Sequence, residues 1–124
     1  MKYQYHCEVH HLDDTLSYDF AGGFGPLNPK FPEDYNQVAK VDCTDVEDAF
    51  FLTQNIDTPW TENQSIRSTY GQRFRSTSVG DVVVVHGPDG REVKYCAPFG
   101  WKDMVPARGS LATSEALVPE GGYR

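Results

Sequence analysis

Four consecutive valines, Val82 to Val85, constrain the fold of this chain more than any other feature. A strand with one face in water alternates apolar and polar residues, whereas a strand covered on both faces is apolar without a break. The run therefore predicts a central strand with a helix on at least one side. Gly80 and Asp81 precede it, and we expect them to turn the chain into the strand.

Three hydroxyl residues, Ser76, Thr77 and Ser78, lie directly before that turn and follow Arg75. Hydroxyls beside a glycine can hold a phosphate or supply a nucleophile. The phosphate-binding patterns GxxxxGK[ST] and GxGxxG are absent from the sequence, as is the nucleophile pattern GxSxG. We therefore expect these hydroxyls to bond backbone groups of the loop.

The rest of the chain has the patterns of an α+β domain with a mostly antiparallel sheet of about four to six strands. Alternating residues predict a hairpin of strands at 2–10 and 15–20, and a further strand at 36–43. The tetrapeptide GPDG at 87–90 predicts a tight turn between the valine strand and a strand at 91–98. The pattern of 66–78 is ambiguous. The tail at 113–124 is expected to be loosely ordered, with one helical turn at 113–117.

One main helix is predicted at 44–55, packed on the sheet. Thr44 is expected to cap its first turn, with Glu47 reaching back in a capping box. The apolar stripe that faces the core consists of Val46, Ala49, Phe50 and Thr53, widened by Phe51 and Leu52.

The length of 124 residues indicates a single domain. Within it we distinguish an acidic N-terminal hairpin and loop region at 1–43, a core at 44–103 and the tail. No apolar run approaches the roughly 20 residues of a membrane helix, and the N-terminus lacks a signal-peptide pattern. We expect a soluble cytoplasmic protein. Its three cysteines, Cys7, Cys43 and Cys96, are predicted to be reduced and buried.

Charge is distributed unevenly along the chain. Residues 1–62 carry twelve acids and three lysines, a net charge of −9, whereas residues 63–124 carry eight bases and six acids, a net charge of +2. An acidic surface repels nucleic acid and attracts basic protein surfaces. The alternative explanation is that the charge serves solubility alone.

Histidine-rich HCEVHH at 6–11 contains metal-ligating residue types, but a strand places His6 and His10 on one face and Cys7 and His11 on the other. Two converging ligands rarely hold zinc, so we expect no metal site and no cofactor. Ser76, Cys96 and His86 are candidates for a small hydrolase or transferase. They lack a recognisable orienting third group, so we expect no enzyme.

Basic and aromatic residues are interleaved between Trp60 and Arg75, a pattern found in proteins that bind single-stranded nucleic acid. The alternative ligand-binding set is Trp60, Arg67, Arg73 and Arg75, beside Phe74. The window lacks a lysine run and the sequence pI is about 4.9, features that weigh against direct contact with nucleic acid. A nucleic-acid-binding accessory domain is therefore the alternative interpretation.

Three segments together, FFLTQNIDTPW, FRSTSVGDVVVV and EVKYCAPFGW, resemble the YodL-like domain. The resemblance covers about residues 44–103, and RSTSVGDVVVV is its specific part. Trp101 departs from the family pattern, which has phenylalanine after the glycine. The first 43 residues resemble nothing in the family.

The resemblance implies an accessory protein of a phage, plasmid or integrative element, and it assigns no catalytic residues. We therefore expect a non-enzymatic protein-binding module that inhibits a host defence or nucleic-acid-processing protein. The partner would be a host protein with a basic surface, such as a CRISPR effector or another nuclease; homodimerisation stays open. The candidate partner-binding acids are Asp13, Asp14, Asp19, Glu33, Asp34, Asp42, Asp45, Glu47, Asp48 and Asp57.

Overall fold

A computed structural model describes residues 5–13, 29–106 and 117–120. It has one antiparallel sheet of seven strands in the order β3-β2-β1-β4-β5-β6-β7, with one α-helix packed on it. The α+β class is confirmed, although the sheet has more strands than expected. The elements are β1 His6–Leu12, β2 Tyr35–Val41, α1 Val46–Leu52, a short 3-10 helix Trp60–Glu62, β3 Ile66–Thr69, β4 Val82–Gly87, β5 Gly90–Ala97, β6 Gly100–Pro106 and β7 Leu117–Pro119.

The valine strand β4 lies between β1 and β5 and is covered on both faces. Val82, Val83 and Val84 have no exposed surface. Val83 packs on the helix face of the sheet, in a cluster with Cys7, Val9, Val38, Ala39, Val41, Ala49 and Trp60. Val82 and Val84 pack on the opposite face with Leu12, Phe31, Tyr35, Tyr95, Ala97 and Met104. The prediction of a doubly covered central strand is confirmed.

The N-terminal strand β1 occupies the middle of the sheet, paired with β2 on one side and β4 on the other. Region 1–43 therefore contributes to the same core as 44–103. The expected hairpin partner at 15–20 lies outside the described residues, and both sides of β1 are already taken.

Helix α1 is shorter than predicted, and its N-cap is Asp45 instead of Thr44. Asp45 has extended dihedral angles, and its Oδ1 accepts a hydrogen bond from the Asp48 backbone N–H at 2.8 Å. The cap is thus shifted by one residue, because the carboxylate of Asp45 reaches the orphaned N–H group of the first turn. Phe51 does not widen the apolar stripe, since it is 68% exposed.

Three strands were not predicted: β3, β6 and β7. Strand β3 lies within the ambiguous segment 66–78, and β7 lies in the tail that was expected to be loosely ordered or helical. β7 pairs with β6, and Leu117 also bridges to Phe31. The prediction is therefore wrong at 117–119, whereas 113–116 and 121–124 lie outside the described residues. No helix in the described part of the chain is long and apolar enough to cross a membrane.

Candidate functional site

The carboxylate of Asp81 is the centre of a closed hydrogen-bond network at the start of β4. Arg75 donates to both of its oxygens, from Nη1 to Oδ2 at 2.7 Å and from Nη2 to Oδ1 at 2.8 Å. The backbone N–H groups of Leu12 and Ser78 each donate to one of these oxygens at 2.8 Å. The Asp81 side chain is 1% exposed. Four donors on a buried carboxylate make this network a structural element of the turn.

The hydroxyls before the turn are tied to the helix and its C-terminal loop. Ser76 Oγ accepts from the Asn55 backbone N–H at 2.8 Å, as predicted for a loop hydroxyl. Thr77 differs, because its buried Oγ1 bonds two side chains, Thr53 Oγ1 at 2.7 Å and His11 Nε2 at 2.9 Å. These hydroxyls therefore join the helix to the sheet.

The residues considered for hydrolysis are not brought together. His86 pairs with Arg91 near the β4–β5 turn, whereas the backbone N–H of Cys96 bonds the Asp81 carbonyl at the other end of the hairpin. Those two ends are five residue steps apart, a distance of roughly 17 Å along the strand. Ser76 lies beside Asn55, outside the hairpin.

The arginine and tryptophan set does not form one surface either. Trp60 is 2% exposed and its Nε1–H donates to the Arg75 carbonyl, so its ring cannot stack on a base. Arg67 pairs with exposed Asp42, and Arg75 is bound to Asp81. Arg73 is exposed and lines a cleft of about 440 Å³. The other residues lining this cleft include His11, Tyr35, Gln37, Tyr70 and Gln72.

The candidate acids are divided between opposite ends of β2. Asp13, Glu33 and Asp34 lie near its first residue, where Asp13 accepts from Asn36 and Asp34 accepts from the Lys30 N–H. Asp42 and Asp45 follow its last residue, about 20 Å away along the strand. Asp14 and Asp19 lie outside the described residues.

Helix α1 and the loop after it carry exposed acids and two exposed apolar side chains. Phe51 is 68% exposed on α1, and Ile56, in the loop after it, is 72% exposed. Glu47, Asp48 and Asp57 are exposed on the same helix and loop. We call these five residues the helix surface. Its apolar part was missed because Phe51 directly follows Phe50, which does face the sheet and contacts Trp101.

A second polar cluster lies where β1 meets β4. His6 and His86 are cross-strand partners with stacked rings, 4.5 Å between centroids. Glu8 lies on the same face and bonds His86 through Oε2 at 2.8 Å and His10 through Oε1 at 2.9 Å. The two faces predicted for His6, His10, Cys7 and His11 are confirmed. Glu8 and His86 join this cluster only through the register of the sheet, which the sequence does not show.

Burial and hydrogen bonding act in opposite directions on this cluster. Burial lowers the pKa of His10 and outweighs the effect of its bond to Glu8. For Glu8, burial raises the pKa, but the hydrogen bonds from His10 and His86 together lower it below its ordinary value. The hydrogen bonds from the two histidines therefore favour the ionised form of the Glu8 carboxylate.

Two of the three cysteines form a close pair. The sulfur atoms of Cys7 and Cys43 lie 3.3 Å apart, with Cys7 buried and Cys43 partly exposed. The hydrogen bond between them raises the pKa of Cys7, to which burial adds, and lowers the pKa of Cys43. The prediction of burial is confirmed for Cys7 and Cys96 and is wrong for Cys43.

Compared with known protein families, curated proteins and solved structures, the chain matches none of them. The resemblance to the YodL-like domain therefore stays a prediction, and the chemistry of the described residues carries the functional argument.

Proposed function

We propose that this chain is a non-enzymatic protein-binding module that docks a basic partner through its helix surface. One observation carries the proposal: Phe51 and Ile56 are mostly exposed and line one cavity with Asp57. Glu47 and Asp48 precede Phe51 by one helical turn and are exposed. Large apolar side chains inserted into a partner supply most of the binding energy of an interface. Surrounding carboxylates steer the approach of a positively charged surface.

The partner class follows from charge and from the family resemblance. A partner with a basic groove for nucleic acid fits the acids of the helix surface, because carboxylates and phosphates are both anions. The resemblance implies a mobile-element setting. We therefore propose a host defence or nucleic-acid-processing protein as the partner, blocked sterically or electrostatically in the manner of anti-CRISPR or anti-restriction proteins. The site of action would be the host cytoplasm.

The test is the plating efficiency of a phage on hosts that each carry one CRISPR or restriction system and express this chain. We expect the chain to raise plating on at least one host. Phe51→Ser, and separately the triple change Glu47→Lys, Asp48→Lys and Asp57→Lys, should abolish the rise. Asp45 is left intact because it caps the helix.

The matched control reverses three exposed acids elsewhere, Asp89, Glu92 and Glu120. This control keeps the same net charge as the first triple change and should protect the phage as well as the wild type does. Protection that survives both helix-surface changes, or no protection on any host, would contradict the proposal.

The alternative, a nucleic-acid-binding accessory domain, is now confined to the cleft lined by Arg73 and Tyr70, since Trp60 is buried. Its test is the fluorescence anisotropy of a labelled single-stranded oligonucleotide at low salt. A rise in anisotropy that Arg73→Ala removes would favour this alternative over docking of a basic protein. No rise would eliminate it.

A further inference from the structure

The geometry points to a divalent transition-metal site, of the zinc type, formed by His6, Glu8 and His86. A ligand atom from each of the three side chains lies within 4.8 Å of the others. The antiparallel register of β1 and β4 produces this set, because His6 and His86 are directly opposite and Glu8 is two residues along on the same face. The site is independent of the helix surface.

The chemistry of the donors matches this class of ion. Two imidazoles and one carboxylate are a known three-residue ligand set for Zn²⁺, in which water takes the fourth position. The set lacks the many oxygen ligands that Ca²⁺ or Mg²⁺ requires. Solvent reaches the cluster, since the side chains of Glu8 and His86 are 22% and 29% exposed.

Binding requires the ligand side chains to move: the stacked rings of His6 and His86 must tilt until their in-plane nitrogen lone pairs converge on the ion. Tetrahedral zinc with ligands at about 2.1 Å separates two donor atoms by roughly 3.4 Å. Glu8 Oε2 and His86 Nε2 are 2.8 Å apart and share a hydrogen, so they must separate slightly. The neutral His86 ring then carries its hydrogen on Nδ1 and presents the Nε2 lone pair to the metal. If His86 is protonated beforehand, binding releases that proton to solvent.

Glu8 is already oriented by a residue outside the ligand set. Its second oxygen, Oε1, is bonded to His10, which is 8% exposed and packs edge-on against Phe31. Outer partners of this kind fix the direction of a ligating group, and their loss costs roughly 10- to 100-fold in metal affinity. His10 is therefore a positioning residue for Glu8.

Neighbouring charges set a limit on affinity. Lys40 is the cross-strand partner of Glu8 and Arg91 that of His86, so both place positive charge near a bound cation. Glu8 contributes the one negative charge among the proposed ligands.

The test is calorimetric titration of the chelator-treated full chain with ZnCl₂, together with the visible spectrum of the Co²⁺-loaded protein. We expect one equivalent to bind, and cobalt d–d bands without thiolate charge transfer. Glu8→Gln and His86→Gln should each weaken binding by roughly 100-fold, and His10→Gln by at least about tenfold. Cys43→Ser should bind as the wild type does, which separates this site from the cysteine pair.

A second measurement keeps the proposal testable if a variant fails to fold. On the wild-type protein, long-range ¹H–¹⁵N spectra of the imidazole rings should shift for His6 and His86 when Zn²⁺ is added, while His11 stays unchanged. No saturable binding, thiolate charge transfer that disappears in Cys43→Ser, or unshifted His6 and His86 nitrogens would each overturn the proposal.

Discussion

Two carboxylates, Asp81 directly before β4 and Glu8 on the neighbouring strand β1, have opposite environments. Asp81 is 1% exposed and receives four hydrogen bonds, two from one arginine and two from the backbone. Glu8 is 22% exposed and hydrogen-bonds His10 and His86, and a histidine can change its protonation and ligand state. A carboxylate with every lone pair satisfied by fixed donors holds the fold. One that faces exchangeable partners at the surface is suited to a ligand.

Removing the two carboxylates should show the largest difference. We expect Asp81→Ala to lower the free energy of unfolding by about 3–5 kcal/mol, because Arg75 loses its carboxylate partner and the buried N–H of Leu12 and the partly buried N–H of Ser78 lose their acceptor. Glu8→Ala should cost about 1 kcal/mol or less, since water reaches the Glu8 carboxylate and His86. Urea unfolding at pH 8 in chelator, with equal slopes for the variants, measures both. Equal losses of unfolding free energy for the two variants would contradict the contrast between the two carboxylates.

Arg75 and Arg67 differ in the same way, because one pairs with a buried carboxylate and the other with an exposed one. The expected difference in the free energy of unfolding is smaller. Arg75→Met should cost about 2–3 kcal/mol, because the buried Asp81 carboxylate keeps its two backbone donors but loses its counter-charge. Arg67→Met removes an exposed pair with Asp42 and should cost less than about 0.5 kcal/mol. The same unfolding experiment applies. If Arg67→Met proves as costly as Arg75→Met, burial of the carboxylate is not the deciding factor.

The hydroxyls near Asp81 extend the comparison to uncharged groups. Thr77→Val should cost about 1–2 kcal/mol, because it leaves His11 and Thr53 without a shared buried partner. Ser76→Ala removes a bond at an exposed backbone N–H and should cost about 0.5 kcal/mol. Thermal unfolding monitored by circular dichroism resolves the two. A smaller loss for Thr77→Val than for Ser76→Ala would contradict this ranking.

The smallest expected effect is on the reactivity of the cysteine thiols, with the free energy of unfolding nearly unchanged. Cys43 should be alkylated by iodoacetamide before Cys7 or Cys96, because its pKa is lowered, whereas burial raises the pKa of Cys96 to about 12. Mass spectrometry of the native protein at pH 8 gives the order. Cys7→Ala removes the hydrogen bond and should slow alkylation of Cys43 several-fold; an unchanged rate would show that the pair is not coupled.

Short sequence patterns predicted the elements whose formation depends on residues that are neighbours in the chain. The valine run showed that β4 is covered on both faces, and GPDG placed the turn at Pro88 and Asp89. Strands β3 and β7, of four and three residues, are too short to show a period. Their formation depends on the strands beside them.

The candidate sites were less predictable because they depend on register between distant strands. Glu8 is near three histidines in sequence, but only pairing of β1 with β4 brings His86 beside it. The sequence predicted Asp81 to be a turn residue. Its hydrogen bonds to Leu12 and Arg75 could not be predicted without knowing where β1 lies. Helical spacing assigned Phe51 to the core-facing stripe, but the residue lies at the margin of that stripe and its side chain is exposed.

The central position of β1 has a consequence for folding on the ribosome. His6 and His86 are eighty residues apart in sequence and adjacent in the sheet. Strand β1 therefore gains its second neighbour only after β4 has been synthesised. Pairing across such a separation slows folding. Until then one edge of β1 stays open to other chains, so the nascent chain is most prone to aggregate before its valines emerge.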